Sequence, residues 1–212
     1  TFTNNQARLV YVSGGGTHTI NIENATFTNN SVKGCGAIFL MDQSNAGNAS
    51  AINVYGGTFT DNACLLSSTS YGSGSIARLK SPGALHFYGG TFANNTTAAG
   101  KNYEGIYLRD DVSQKLGSNV YVHKLSADLN VYLTPSSAKV FMSRIVVDSA
   151  LTHMISVYIA DNRVPAKGMP LVVGTDEYKL SEADLAMVKS ANPKATFYLD
   201  TENNAICIAK AE

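Results

Sequence analysis

Apolar and polar positions alternate in short bursts along this chain, and the bursts recur in phase. Ile20 and Ile22 flank Asn21, Ile52 and Val54 flank Asn53, and Leu85 and Phe87 flank His86. Alternation with period two predicts a strand with one buried face. Five residues after each burst comes a phenylalanine, and three residues later an asparagine: Phe27 and Asn30, Phe59 and Asn62, Phe92 and Asn95. The chain opens inside a further copy, Thr1-Phe2-Thr3-Asn4-Asn5. The phenylalanines at 2, 27, 59 and 92 are separated by 25, 32 and 33 residues. A further apolar patch lies between copies, at residues 9–12, 37–40, 76–79 and 106–108.

Several short strands per period, with no helical pattern, predict an all-β fold, a right-handed parallel β-helix in which each copy is one coil. Coils stacked at roughly 4.8 Å would pile Phe27, Phe59 and Phe92 into one inward column. Asn30, Asn62 and Asn95 would form a second column at a coil corner, where stacked amides bond to one another and to the backbone. The glycine pairs at 56–57 and 89–90 read as turns with positive φ. Alternation sends Tyr55 and Tyr88 outward, one above the other, as an aromatic step suited to a sugar ring or a protein contact.

After Asn95 the motif fades, while short apolar strands continue to about residue 160. The β-helix is therefore expected over residues 1–160. Residues 161–212 read as a small α+β cap: a strand from Pro170 to Val173, a helix opening at Ser181-Glu182-Ala183-Asp184 and running to about Lys189, and a hairpin turning at residues 200–204. Residues 41–50 and 63–75 are rich in Ser, Gly and Asn and read as loops, where binding commonly resides.

Composition narrows the function. Charged residues make up 15% of the 212 and the formal net charge is zero, which disfavours nucleic acid. No apolar run is long enough for a membrane-spanning helix. Of the three cysteines, Cys35 and Cys64 sit one coil apart and could bridge, while Cys207 falls in an apolar strand and reads as buried and inert. The histidines are scattered and no metal-ligand spacing occurs, so neither metal nor cofactor is expected. The tightest charged cluster, Arg109-Asp110-Asp111, with Asp42 or Asp128 as neighbours, is the one candidate for carboxylate chemistry on polysaccharides. It reads more simply as a solvated corner, and no catalytic residue is assigned. A chain that begins inside a repeat reads as a segment of a longer protein.

The recurring Phe-x-x-Asn, with Gly34-Cys35-Gly36-Ala37-Ile38 after one copy, resembles the repeats of the chlamydial polymorphic outer membrane proteins. The resemblance covers residues 1 to about 110, and Cys35 interrupts the glycine pair of the second family motif. Residues 178–185 and the following hairpin look more like modules of large surface proteins of gut Firmicutes. Both resemblances imply an extracellular, surface-attached, non-enzymatic adhesin-like segment or stalk. Its partners would be a host protein or glycan and neighbouring modules of the same chain. The alternative is a carbohydrate-active β-helix, a lyase or glycoside hydrolase.

Overall fold

A computed structural model of the chain describes residues 1–33, 38–43, 49–65, 74–80, 82–97, 105–110, 116–134 and 142–212. Cys35, Asp111, most of the two expected loops and the strand expected at Val140 lie outside these residues. The described residues are mostly β-strand, and the strands pair in parallel from one copy of the repeat to the next.

The copies that begin at Ala25, Gly57 and Thr91 each contribute one strand to each of four sheets, and the opening copy contributes to three of them. The phenylalanine strands Phe2–Thr3, Ala25–Thr28, Gly57–Thr60 and Thr91–Ala93 form one parallel sheet. The short strands Ser31–Val32, Ala63–Cys64 and Thr96–Thr97 form another. A seven-stranded sheet is built from Val10–Ser13, Phe39–Asp42, Ala77–Lys80, Ile106–Arg109, Leu129–Thr134, Ile155–Ile159 and Val188–Ser190. An eight-stranded sheet carries Thr19–Ile22, Ser50–Val54, Gly83–Phe87, Asn119–Val122, Arg144–Val147 and Met169–Gly174 in parallel, then Ala205–Lys210 and Ala195–Asp200 antiparallel.

Register follows the sequence repeat. Phe2 pairs with Phe27, Phe27 with Phe59, and Phe59 with Phe92. Their rings stack at centroid distances of 5.0, 5.0 and 5.2 Å. Ile20, Ile52, Leu85, Val120 and Ile145 line up likewise in the eight-stranded sheet. Phe27, Phe39, Phe59, Ile52, Val54, Leu85 and Phe87 are wholly buried and belong to one continuous apolar cluster. A slip of one residue would turn every such side chain to the opposite face, so the apolar pattern enforces the register.

The asparagine column is continuous. Asn5 Nδ2 donates to Asn30 Oδ1 (2.8 Å), Asn30 Nδ2 to Asn62 Oδ1 (2.9 Å) and Asn62 Nδ2 to Asn95 Oδ1 (2.9 Å). Each acceptor oxygen also takes the backbone N–H of the preceding asparagine. The second Nδ2 hydrogen of Asn30, Asn62 and Asn95 goes to the carbonyl of Phe2, Phe27 and Phe59 respectively. Asn30 and Asn62 thus use both donors and both lone pairs, which is what a buried amide needs.

The corner before the column is left-handed. Asn4, Asn29, Asp61 and Asn94 have φ of 58°, 53°, 56° and 53°. Asn and Asp tolerate this conformation better than other residues with a Cβ. Gly57 (φ 119°) is needed for a second reason. A Cβ there would meet the Ala25 carbonyl oxygen at 2.2 Å.

Beyond Thr97 the described strands enter only the two larger parallel sheets, which is why the phenylalanine motif fades there. These sheets run past residue 160. Met169–Gly174 pairs in parallel with Arg144–Val147, and Val188–Ser190 with Ile155–Ile159. The boundary expected at 160 therefore falls inside both sheets. The expected helix is shorter than its sequence pattern: Glu182–Met187 is helical, and Val188 turns extended because it pairs with Ile155 and is buried. The hairpin Ala195–Asp200 with Ala205–Lys210 forms one edge of the eight-stranded sheet.

Asp184 fastens this C-terminal part. It completes a capping box with Ser181. Its carboxylate also accepts from Leu151 N–H (3.0 Å) and from the Tyr178 hydroxyl (2.8 Å). Burial works against the charge, but the hydrogen bonds from Leu151, Ser181 and Tyr178 outweigh it and hold the carboxyl below its ordinary value. Burial and this same carboxylate push the Tyr178 phenol up to about 12.

Two outcomes are expected. Asn62→Ala should lower the free energy of unfolding by roughly 1–3 kcal/mol, because it orphans buried groups on the copies to either side. Asn53→Ala, which removes only the exposed bond to Asn21 (2.9 Å), should stay within about 0.5 kcal/mol. Urea titrations of the two variants check this. For Asp184 the folded carboxyl titrates below the unfolded one. Its stabilisation is therefore complete above the unfolded value near 4 and is lost as pH falls through the folded value. Asp184→Ala should cost about 2 kcal/mol or more at neutral pH and flatten the acid limb of a stability–pH curve.

Candidate functional site

The outward face of the eight-stranded sheet carries the densest set of chemically versatile side chains among the described residues. Alternation produces two outward columns. One runs Asn21, Asn53, His86, Tyr121 by direct register. The other, just beyond the strand ends, runs Tyr55, Tyr88, His123: Tyr55 N–H bonds to Ile22, Tyr88 N–H to Val54 and His123 N–H to Phe87. Asp148 follows Val147, the partner of Val122, and continues the second column.

These rings stack tightly. Tyr55 lies on Tyr88 at 4.7 Å, Tyr88 on His123 at 4.1 Å, and His86 on Tyr121 at 4.2 Å, with interplanar angles of 13°, 3° and 2°. Tyr55 and Tyr88 are 46% and 38% exposed. The step expected at Tyr55 and Tyr88 therefore has different chemistry from that of a sugar-stacking platform. Stacked rings spend their faces on one another and present their edges to solvent. What remains to meet a partner is a row of ring edges with their phenol hydroxyls, able to donate and accept hydrogen bonds.

A polar relay ties the columns together. His86 Nδ1 and His123 Nε2 are 3.1 Å apart. His123 Nδ1 meets the Asp148 carboxylate, and Ser149 Oγ donates to the His123 carbonyl at 2.7 Å. Asp148 accepts only, so His123 carries its proton on Nδ1. When His123 is neutral its Nε2 must accept, and His86 must hold its proton on Nδ1. A proton on both facing nitrogens would set N–H against N–H. Burial, then the neighbouring His123, lowers the His86 pKa. Burial, then Tyr55 and Asp148, raises that of Tyr88.

The carboxylate cluster near Arg109 proves to be something else. Asp110 is buried rather than solvated. Its carboxylate accepts the backbone N–H groups of Met142 and Ser143, each at 2.9 Å, and the Ser143 hydroxyl. Burial raises its pKa, and these bonds and Arg144 oppose the rise. It holds the two residues that precede Arg144–Val147. Asp42 pairs with Lys80 at 3.2 Å, and Lys80 stands between it and Arg109 in the register. Asp128 accepts Met154 N–H at 2.9 Å. The three carboxylates are thus tied to separate partners.

Cys64 and Cys207 are buried, and burial pushes the Cys207 thiol up. Among the described residues, no group of three or more His, Cys, Asp or Glu side chains could hold a metal ion. Also among them, no helix is long and apolar enough to cross a membrane.

The histidines were missed in the sequence because they are far apart in the chain. The available signal was positional: His86 occupies the site of Asn53, and His123 follows Val122 as Tyr88 follows Phe87. A pH titration by NMR should place His86 below the ordinary histidine value of about 6.5, and His123→Gln should move it back upward. An unchanged His86 titration in that variant would break the relay.

No family model, curated protein or solved structure matched the chain.

Proposed function

We propose that this chain is a segment of a right-handed parallel β-helix, displayed outside the cell as a non-enzymatic adhesin-like or stalk module. The in-register parallel pairing of copies that each visit several sheets supports the β-helix. The observation that carries the function is the outward ring-edge array of Tyr55, Tyr88, His86, Tyr121 and His123. It is rigid, because each ring is clamped by its neighbours, and it offers repeated hydrogen-bonding groups at sheet spacing. Rigid aromatic residues give contact at low entropic cost. A host protein or glycan is the partner class this face suits. The carbohydrate-active alternative loses its best candidate, since Asp110 is committed to backbone groups.

Binding to arrays of glycans and host extracellular proteins tests the reading. Tyr55→Ala with Tyr88→Ala should weaken any specific binder at least about tenfold. Specific binding that survives this pair and His123→Ala would place the recognition face elsewhere. Turnover of a polysaccharide would favour the enzyme.

A further inference from the structure

The asparagine column has a direction, and so it has a last member. Every asparagine donates forward, through Nδ2 and its backbone N–H, to the Oδ1 of the next copy. Asn95 has no successor among the described residues. It is only 8% exposed, and its Nδ2 reaches the Phe59 carbonyl at 2.8 Å. Its backbone N–H and its second Nδ2 hydrogen have no partner among the described residues. In earlier copies these two donors converge on one amide oxygen.

At this place lies a cavity of about 220 Å³ lined by Phe92, Asn94, Asn95, Asp128 and Asn130. It sits where the phenylalanine sheet ends while the two larger sheets continue. Phe92 is the last ring of its stack and is half-buried. Asp128 uses Oδ1 for Met154 N–H, and both Asp128 and Asn130 are exposed.

We propose that this cavity is a binding site for an acetamido sugar residue. The ladder itself defines the group that fits: an amide carbonyl, whose two lone pairs take both Asn95 donors as the next asparagine would. Phe92 supplies an apolar wall for the sugar ring and its methyl group. Asp128, an acceptor, and Asn94 and Asn130, which both donate and accept, match ring hydroxyls. The Asp128 charge selects against an anion, and the volume suits one sugar unit rather than a large ligand. The site shares no residue with the histidine–tyrosine face, so either can fail without the other.

The test is an NMR titration of the whole chain with the β-1,4-linked dimer of N-acetylglucosamine, using cellobiose as a dimer of similar size without acetamido groups. The backbone and side-chain amide signals of Asn95 should shift with the first, and binding of cellobiose should be at least about tenfold weaker. Asn95→Asp keeps the acceptor for Asn62 and removes the side-chain one of the two forward donors, and the resulting loss of binding should abolish the shift at the backbone amide that remains. If that variant does not fold, Asp128→Asn with Asn130→Ala should weaken binding about tenfold on an intact fold. Equal binding of the two dimers would overturn the proposal. So would unmoved Asn95 signals at about 10 mM dimer, or full affinity in the Asp128→Asn, Asn130→Ala protein.

Discussion

A primary amide carries two donors and two lone pairs, and burying one without partners costs a few kcal/mol. Asn30 and Asn62 are buried at every copy of the motif they end, so each must find four partners without water. Only one arrangement satisfies them all: the next copy must stand in register, with its Oδ1 under the donors of the last. The constraint is mutual. Losing one asparagine strands groups on the copies to either side. The phenylalanine stack adds apolar burial in the same register, but stacked rings tolerate sliding in a way that a fully satisfied amide column does not. The column and the apolar alternation therefore fix the register together, while burial of the apolar core supplies most of the driving force.

The outward chemistry is a consequence of that register. Once Val54 and Phe87 are aligned inward, Tyr55 must lie on Tyr88, and His123 on Tyr88 one step further. Residues more than thirty positions apart become ring-stacking neighbours without any local motif. The same rule explains the second tyrosine column, Tyr107, Tyr132 and Tyr158, stacked at 5.1 Å on the seven-stranded sheet. It also explains why the ladder's end is chemically special: a directional column leaves acceptors at its start and donors at its finish.

Much of this was legible in the chain. The period of Phe and Asn, the apolar pairs before them, and the outward Tyr55 and Tyr88 follow from counting residues. The histidine relay was harder. His86 and His123 sit in different strands, and their pairing depends on which copy stacks on which after the motif has faded. Asp110 looked solvated because its sequence neighbours are charged. Its partners, Met142 and Ser143, lie 32 and 33 residues further along the chain, with no local motif to mark them. The left-handed corner at Asn4, Asn29, Asp61 and Asn94 was readable in principle, since only Asn or Asp occupies that position in four copies. Val188 shows the opposite case, where pairing with Ile155 overrides a helical pattern.

The most direct test of the register is a pair of deletions. Removing residues 63–95 takes out one whole period, the 33 residues that separate Asn62 from Asn95, and joins Asn62 to Thr96. Removing residues 63–92 starts after the same asparagine but takes out three residues fewer and breaks the phase. Urea unfolding followed by circular dichroism should show a cooperative transition for the in-phase deletion and a broad or absent one for the other. Equal unfolding of the two proteins, or loss of the cooperative transition in the in-phase deletion, would contradict a fold held in register by the asparagine column.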